Sequence, residues 1–398
     1  MRSDFIKPRY GSGGFSSIPG RVVEAFDDSD LVLLFLVDAF GWRLFERFAD
    51  TPFLRRFSRD GGGAGKAERL VTQFPSTTTA CMTSLHTGLS VGRHGLLEWN
   101  YYESRLDAMI SPILFSFAGD KERDGLARAG VDARDIFPSD SFYERLAALG
   151  IASHVFQLRD YTPSTYSNHM LRGARVRPFT TLPEAIAGLA ASARGMEGKN
   201  YVLVYWDRVD SIGHRYGPDS PQIEAEILSF LLTMEEIALP LLSSSGRRMR
   251  IFLGADHGLC STPPEETLYL NEDPRFAGLP SSLKRDGKGR ALVAAGSCRD
   301  FFLYCKDAEA RDEARGVLAA GLEDLAEVAL VEELAAEGYF GPDPGPELRS
   351  RAGDLVILPL AGRSVWWREK GRFEQGLRGH HGGLSQEEML VPFLTLDL

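Results

Sequence analysis

Cysteine is scarce in this chain. Cys81, Cys260, Cys298 and Cys305 are scattered through 398 residues with no CxxC pair, so neither a disulfide framework nor a thiolate zinc site is expected. Long apolar runs are missing as well: the longest, LVLLFLV at 31–37, falls far short of the roughly 20 residues that cross a bilayer. The first stretch, MRSDFIKPRYGSGGFSSIPG, has none of the apolar core of a signal peptide, and a soluble cytoplasmic protein with no membrane partner is the expectation. Positive charge is not in excess either. With 45 Lys and Arg against 55 Asp and Glu the formal net charge is −10, which gives no reason to expect a nucleic-acid-binding surface, because phosphate backbones attract basic faces. DGGGAGKA at 60–67 looks like a phosphate-binding P-loop but has Asp60 where glycine is required and Ala67 where a hydroxyl is required; it reads as a flexible turn.

What the chain does have is a run of short, nearly continuous apolar segments separated by helix-like ones. LVLLFLVD (31–38), RLVTQF (69–74), IASHVFQL (151–158), YVLVYWD (201–207), RIFLGAD (250–256) and MLVPFLTL (389–396) read as strands covered on both faces. They predict an α/β fold with a mostly parallel central sheet and helices on both sides. DSFYERLAALG (140–150) adds a helix with Asp140 as its cap and Gly150 as its stop, leading straight into a strand. Between Asp256 and the last strand, RDFFLYCK, EARDEARGVLAAGLEDL, EVALV, EELAAEGYFG and GDLVILPL predict a smaller α+β subdomain at 265–375, inserted into a main domain of 1–264 and 376–398. The Pro- and Gly-rich GPDPGPELRSRAGD (341–354) reads as a surface loop within it.

Residues with chemistry collect at one structural address. Asp38 ends a strand in LVDAFGW, Asp256 and His257 end another in LGADHG, and Asp210 follows a third in YWDRVDSIGH. Parallel α/β sheets bind ligands beyond the carboxyl ends of their strands, so these groups can converge on one crevice. In DSIGH, Asp210 and His214 are four apart and share a helix face, as a metal site needs. His380 and His381 sit in the glycine-rich RGHHGG turn before the last strand. QFPSTTTACMTSLHTG (73–88) predicts a strand broken by Pro75, then a helix from Ser76 or Thr77 to a stop at Gly88. A hydroxyl in that first turn lies where unpaired N–H groups and the helix dipole favour an anion.

Taken in order, VDAFGW, FPSTTTACMTSLHTGLSVGRHG, DSIGHRYGP, GADHG and HGGLSQEEMLVP resemble the alkaline phosphatase superfamily, and within it the type I phosphodiesterase/nucleotide pyrophosphatase family. The resemblance implies a two-metal phosphoesterase. One divalent ion would be held by Asp38, Asp256 and His257 with the nucleophile, the other by Asp210, His214 and His381, with His380 as the alternative. Zinc suits this imidazole and carboxylate set and manganese is compatible. Counting ten residues back from Gly88, as the family spacing implies, selects Thr78 as the nucleophile and a phosphothreonine intermediate.

Two departures bear on substrate. Relatives place Phe directly after the nucleophile, where this chain has Thr79, and an Asn after the HG pair, where it has Trp99 with Asn100 one place on. Asn100 and Trp99 are the candidate substrate contacts, for a small phosphodiester or nucleotide-like molecule. The runs EWNYYES (98–104) and YTPSTYSNH (161–169) can line a pocket rim. No Arg or Lys can be assigned beside the metals, which tilts the reading toward diesters. The competing readings are phosphomonoesterase, phosphonate hydrolase or phosphomutase on the same metals, and, from another class, a catalytically silent metal-stabilised binding protein.

Overall fold

Two sheets shape the molecule, whose computed structural model describes residues 1–57 and 64–398. Residues 60–63 of the Gly-rich turn lie outside the described residues. In chain order the strands are β1 (Leu31–Val37), β2 (Lys66–Val71), β3 (Ile151–Leu158), β4 (Ala174–Phe179), β5 (Lys199–Trp206), β6 (Met249–Gly254), β7 (Ala295–Ser297), β8 (Asp300–Leu303), β9 (Ala326–Leu330), β10 (Leu355–Pro359) and β11 (Leu390–Asp397). Seven of them form the main sheet in the order β2–β11–β6–β1–β5–β3–β4. All pairings from β6 to β4 are parallel, and β11 alone runs antiparallel between β2 and β6. LVLLFLV is its centre: all seven side chains of β1 are buried, because helices cover both faces.

The remaining strands form a four-stranded antiparallel sheet, β7–β8–β10–β9. Its Phe302, Val356 and Leu358 share a core with Phe74, Leu96, Leu97 and Tyr101 from the chain that follows β2. A short antiparallel sheet of Tyr101–Glu103, Ala108–Ser111 and Ser116–Phe117 lies nearby, and β7 contacts its first strand. Apolar side chains from both parts of the sequence thus form one core between the small sheet and the segment after β2. Among the described residues no helix is long and apolar enough to cross a membrane, and all four cysteines are free and buried.

Several local expectations need correction. The strand placed at 69–74 runs from Lys66 to Val71; Thr72 leaves the sheet because its N–H donates to Met389 O (2.8 Å) and its hydroxyl to Asp256 O. The helix α2 (Phe142–Ala148) is capped by Ser141, whose hydroxyl accepts from Glu144 N, and not by Asp140. The 341–354 loop contains a helical turn and a half, Pro346–Arg351, opened by its proline and anchored by buried Leu348 and Arg351. The strand β4, ARVRPF, escapes the apolar-run criterion because it is an edge strand with exposed charges.

Candidate active site

The crevice is set by three neighbouring strand ends. Asp38 follows β1 and its N–H donates to Trp206 O at the end of β5 (2.9 Å). Asp256 and His257 follow β6 after one alanine. The turns after β1 and β6 touch through Gly41 and Gly258: a Cβ on Gly41 would lie 2.7 Å from the Gly258 Cα, so the close approach requires glycine. Ala39 holds a left-handed φ of 60°, and its N–H donates to Asp256 Oδ1 (3.2 Å), as does His257 N (3.0 Å). Such strain at a site residue persists only where the surroundings fix it.

Asp38, Asp256 and His257 form one cluster, fully buried, and Asp210, His214 and His381 a second; within each, one donor atom per residue lies within 4.8 Å of the others. In the first, His257 Nε2 is 3.3 Å from Asp38 Oδ1 and 3.4 Å from Asp256 Oδ2. The helix α3 (Arg208–Tyr216) supplies Asp210 and His214, with His214 Nε2 3.2 Å from Asp210 Oδ2, and His381 Nε2 is 3.7 Å from Asp210 Oδ1. Of the paired histidines, His381 enters the cluster and His380 lines the cavity beside it. The clusters adjoin: the rings of His257 and His381 stack with centroids 3.7 Å apart.

Thr78 opens the helix α1 (Thr78–Thr87), and the neighbouring threonines have other work. Thr77 is the cap, its hydroxyl accepting from Ala80 N (3.3 Å) and donating to Leu97 O (3.0 Å). Gly88 stops the helix at φ 68°. Thr78 Oγ1 reaches the first cluster, 3.2 Å from His257 Nε2 and 3.5 Å from Asp38 Oδ2. Thr79 lines the cavity.

The donor chemistry fits divalent cations. Each cluster histidine uses Nδ1 on a backbone carbonyl: His257 on Gly258 O (3.1 Å), His214 on Gly379 O (2.7 Å) and His381 on Ser76 O (3.0 Å). That fixes the proton on Nδ1 and leaves each Nε2 lone pair facing the carboxylates, the usual arrangement of a metal-ligating imidazole. Meanwhile Asp38 Oδ1, Asp210 Oδ1 and Asp256 Oδ2 are buried without a hydrogen-bond partner among the described residues. Burial, reinforced by the charges of Asp256 and Asp210, pushes the Asp38 carboxyl well above its usual range, and burial holds the His381 imidazole well below its own. Unpaired buried carboxylate oxygens facing imidazole Nε2 atoms are what a bound cation relieves.

The clusters and Thr78 open into a cavity of about 550 Å³ walled by both sheets and by α1. Trp99 lies at its edge, 45% exposed. Asn100 lines it too, with its Oδ1 accepting from Ser111 Oγ (2.5 Å). Tyr161 and Tyr166 from the 161–169 run form another wall. Two residues escaped the sequence reading. Tyr205, whose hydroxyl donates to Asp38 Oδ2, hides inside an apolar strand. Arg123 also lines the cavity, a cationic side chain the sequence does not mark, because it comes from a charged loop with no motif.

Carboxylate and imidazole clusters at the carboxyl edge of a mostly parallel sheet, with a helix-opening threonine against one of them, define a protein of the alkaline phosphatase superfamily. The family model for type I phosphodiesterase / nucleotide pyrophosphatase matches residues 32–384. The chain belongs to that family, whose members are metal-dependent hydrolytic phosphodiesterases and pyrophosphatases. It is 24% identical over 254 residues to the human ectonucleotide pyrophosphatase/phosphodiesterase family member 7, a match covering 60% of this chain and 50% of the human protein; the chain thus spans about half the length of that relative. Among solved structures, murine ectonucleotide pyrophosphatase/phosphodiesterase 5 superposes with a TM-score of 0.62 at 17% identity, covering 92% of this chain and 87% of that one. Phosphonoacetate hydrolase from Sinorhizobium meliloti 1021, in complex with phosphonoacetate, gives 0.63 at 17% identity, covering 92% and 90%. An inactive form of the murine protein is in complex with AMP. At these identities the likeness is one of fold.

Proposed function

We propose that this chain hydrolyses phosphodiester or nucleotide-type pyrophosphate bonds, with Thr78 as nucleophile. The observation that carries the reading is the placement of Thr78 Oγ1 at the head of α1, 3.2 Å from His257 Nε2 and 3.5 Å from Asp38 Oδ2. Asp38, Asp256 and His257 with Thr78 would hold one divalent cation, zinc or manganese, and Asp210, His214 and His381 a second. When bound, such cations act as Lewis acids that favour the ionised hydroxyl and offset charge on the phosphoryl oxygens.

The chain's own groups do the rest. Asp38 and His257 hold the Thr78 oxygen toward the cavity, and the first-turn N–H groups of α1, which have no partners within the helix, favour the anionic phosphoryl group. Thr78 attacks phosphorus in line; the bond to the leaving alcohol or nucleotide breaks, and water then cleaves the phosphothreonine. Asn100 and Trp99 are proposed to contact the substrate. The 265–375 subdomain is proposed to roof the site, since Ser297, Cys298 and Trp366 from it line the cavity.

Purified, zinc- or manganese-loaded protein should hydrolyse bis-nitrophenyl phosphate in preference to mono-nitrophenyl phosphate. Thr78→Ala should lower turnover by at least about 10³-fold with folding and metal content kept. A preference for the monoester would make the protein a monoesterase; wild-type turnover of neither, across a wider ester panel, would make it a silent binding protein. Full activity in Thr78→Ala would remove Thr78 as nucleophile.

A further inference from the structure

Among the described residues that line the cavity, Arg123 is the one arginine or lysine. The acidic side chains there are five carboxyl groups, and each is already engaged. Asp38 and Asp210 belong to the two clusters. Asp207 takes the Tyr161 hydroxyl and lies 3.6 Å from Arg208. Glu98 accepts from Trp99 N, and Glu374 from Gly371 N (3.0 Å). Arg123 makes no ion pair and no side-chain hydrogen bond among the described residues; its guanidinium rests over the Tyr161 ring, 5.3 Å from the centroid.

The loop that carries it is firmly held. Ser116 Oγ donates to Glu122 O (2.5 Å) and accepts from Gly125 N (3.0 Å). Asp124 sits at a left-handed φ of 62°, with its N–H on Leu114 O (2.8 Å) and its Oδ1 accepting from Thr165 N (2.9 Å). The backbone on both sides of Arg123 is therefore fixed while its five N–H donors stay free. From Arg123 the wall passes through Tyr161 to Tyr205, ring centroids 6.2 Å apart, and the Tyr205 hydroxyl donates to Asp38. The free guanidinium thus stands two aromatic rings from the Thr78 cluster.

We propose that Arg123 forms a second anion subsite, so that the preferred substrate is a phosphoric ester carrying a further oxyanion, a carboxylate or a phosphate-type group, on the arm directed away from the clusters. This deepens the phosphoesterase reading and rests on it for the position of the scissile phosphorus. A planar guanidinium matches either oxyanion through paired N–H bonds. Cation stacking on Tyr161 orients the fork without satisfying any of its N–H groups. Elsewhere around the cavity an anionic arm would find no second arginine or lysine among the described lining residues.

The test uses three esters on the metal-loaded protein: 4-nitrophenyl phenyl phosphate, and the same diester with a 3-carboxy or a 3-phosphono group on the phenyl arm. Wild type should favour an anionic arm by roughly 10–100-fold in kcat/KM, and the better of the two identifies the oxyanion. Arg123→Gln should lose that preference while turning over the plain ester within about twofold, since Arg123 makes no ion pair or side-chain hydrogen bond among the described residues. No preference in wild type, or a preference that survives R123Q, overturns the subsite. If wild type cleaves none of the three, the phosphodiesterase reading fails, and calorimetric binding to the Thr78→Ala protein decides the subsite alone. Tighter binding of the anionic arms that disappears in the T78A/R123Q double variant upholds it, and equal binding of all three rejects it.

Discussion

The two clusters share a stacked pair of imidazoles but are held in place by different parts of the molecule. Asp38, Asp256 and His257 sit on turns after adjacent parallel strands, with side chains at most 2% exposed. Backbone N–H groups of Ala39 and His257 fix Asp256, and Tyr205 fixes Asp38. Asp210, His214 and His381 have side chains 14%, 18% and 11% exposed, and they sit on a helix and a glycine turn tied mainly to each other. His214 Nδ1 donates to Gly379 O, and Arg378 N donates to His214 O (2.7 Å). What anchors that turn is Glu388, which accepts from Gly383 N (3.0 Å) and Ser385 N (3.2 Å) and pairs with Arg299 at 2.8 Å. Arg299 stands at the head of β8, so the second cluster leans on the small sheet. A site preorganised by the large sheet and one assembled through a buried ion pair should differ in how tightly each would hold a cation.

The largest expected effect falls on the sheet-held cluster. Asp256→Ala removes a proposed ligand beside Thr78 and should empty the proposed first site and lower turnover by at least about 10³-fold, read by elemental analysis and ester hydrolysis. Next come Asp210→Asn and His214→Ala, which should reduce bound metal from two equivalents toward one and turnover by roughly 10²-fold, the protein staying folded. Two equivalents retained in either variant would take that residue out of the site. If Asp256→Ala proved milder than Asp210→Asn, the contrast between the clusters would be reversed.

Most of what positions the chemistry can be read from the sequence, for a physical reason. Strands buried on both faces must be continuously apolar, so LVLLFLV and its neighbours announce themselves, and a carboxylate just past such a run is exposed to notice at the sheet edge. What separates Thr78 from Thr77 and Thr79 in the sequence is the spacing back from Gly88 that the family resemblance implies, not the helix signal by itself. Neither β4 nor the Pro346–Arg351 turn has that signature: one is an edge strand whose charges face water, the other a helix too short to show a period. Tyr205 and Arg123 are invisible for another reason. Their roles come from what faces them across the cavity, Asp38 and the Tyr161 ring, more than 30 residues away along the chain in each case. The Arg299–Glu388 pair, 89 residues apart, is of the same kind.

That pair supplies the subtlest test. Burial opposes the charge on Glu388, but Arg299 outweighs it and holds the carboxyl below its usual value of 4.5. A carboxyl that ionises more readily folded than unfolded stabilises the fold above its unfolded value. The contribution is lost as pH falls through the depressed folded value. Glu388→Gln leaves Arg299 buried and unpaired, which costs about 3–5 kcal/mol near neutral pH. The Tm gap between wild type and E388Q should therefore be widest well above pH 4.5 and close as both proteins are acidified below it. Because Glu388 also holds the turn ahead of β11, the variant at neutral pH should release the second-site metal about 10-fold more readily and keep the first. Equal loss from both sites would mean that the ion pair steadies the whole crevice, and the two clusters would then be one unit with a single origin of order.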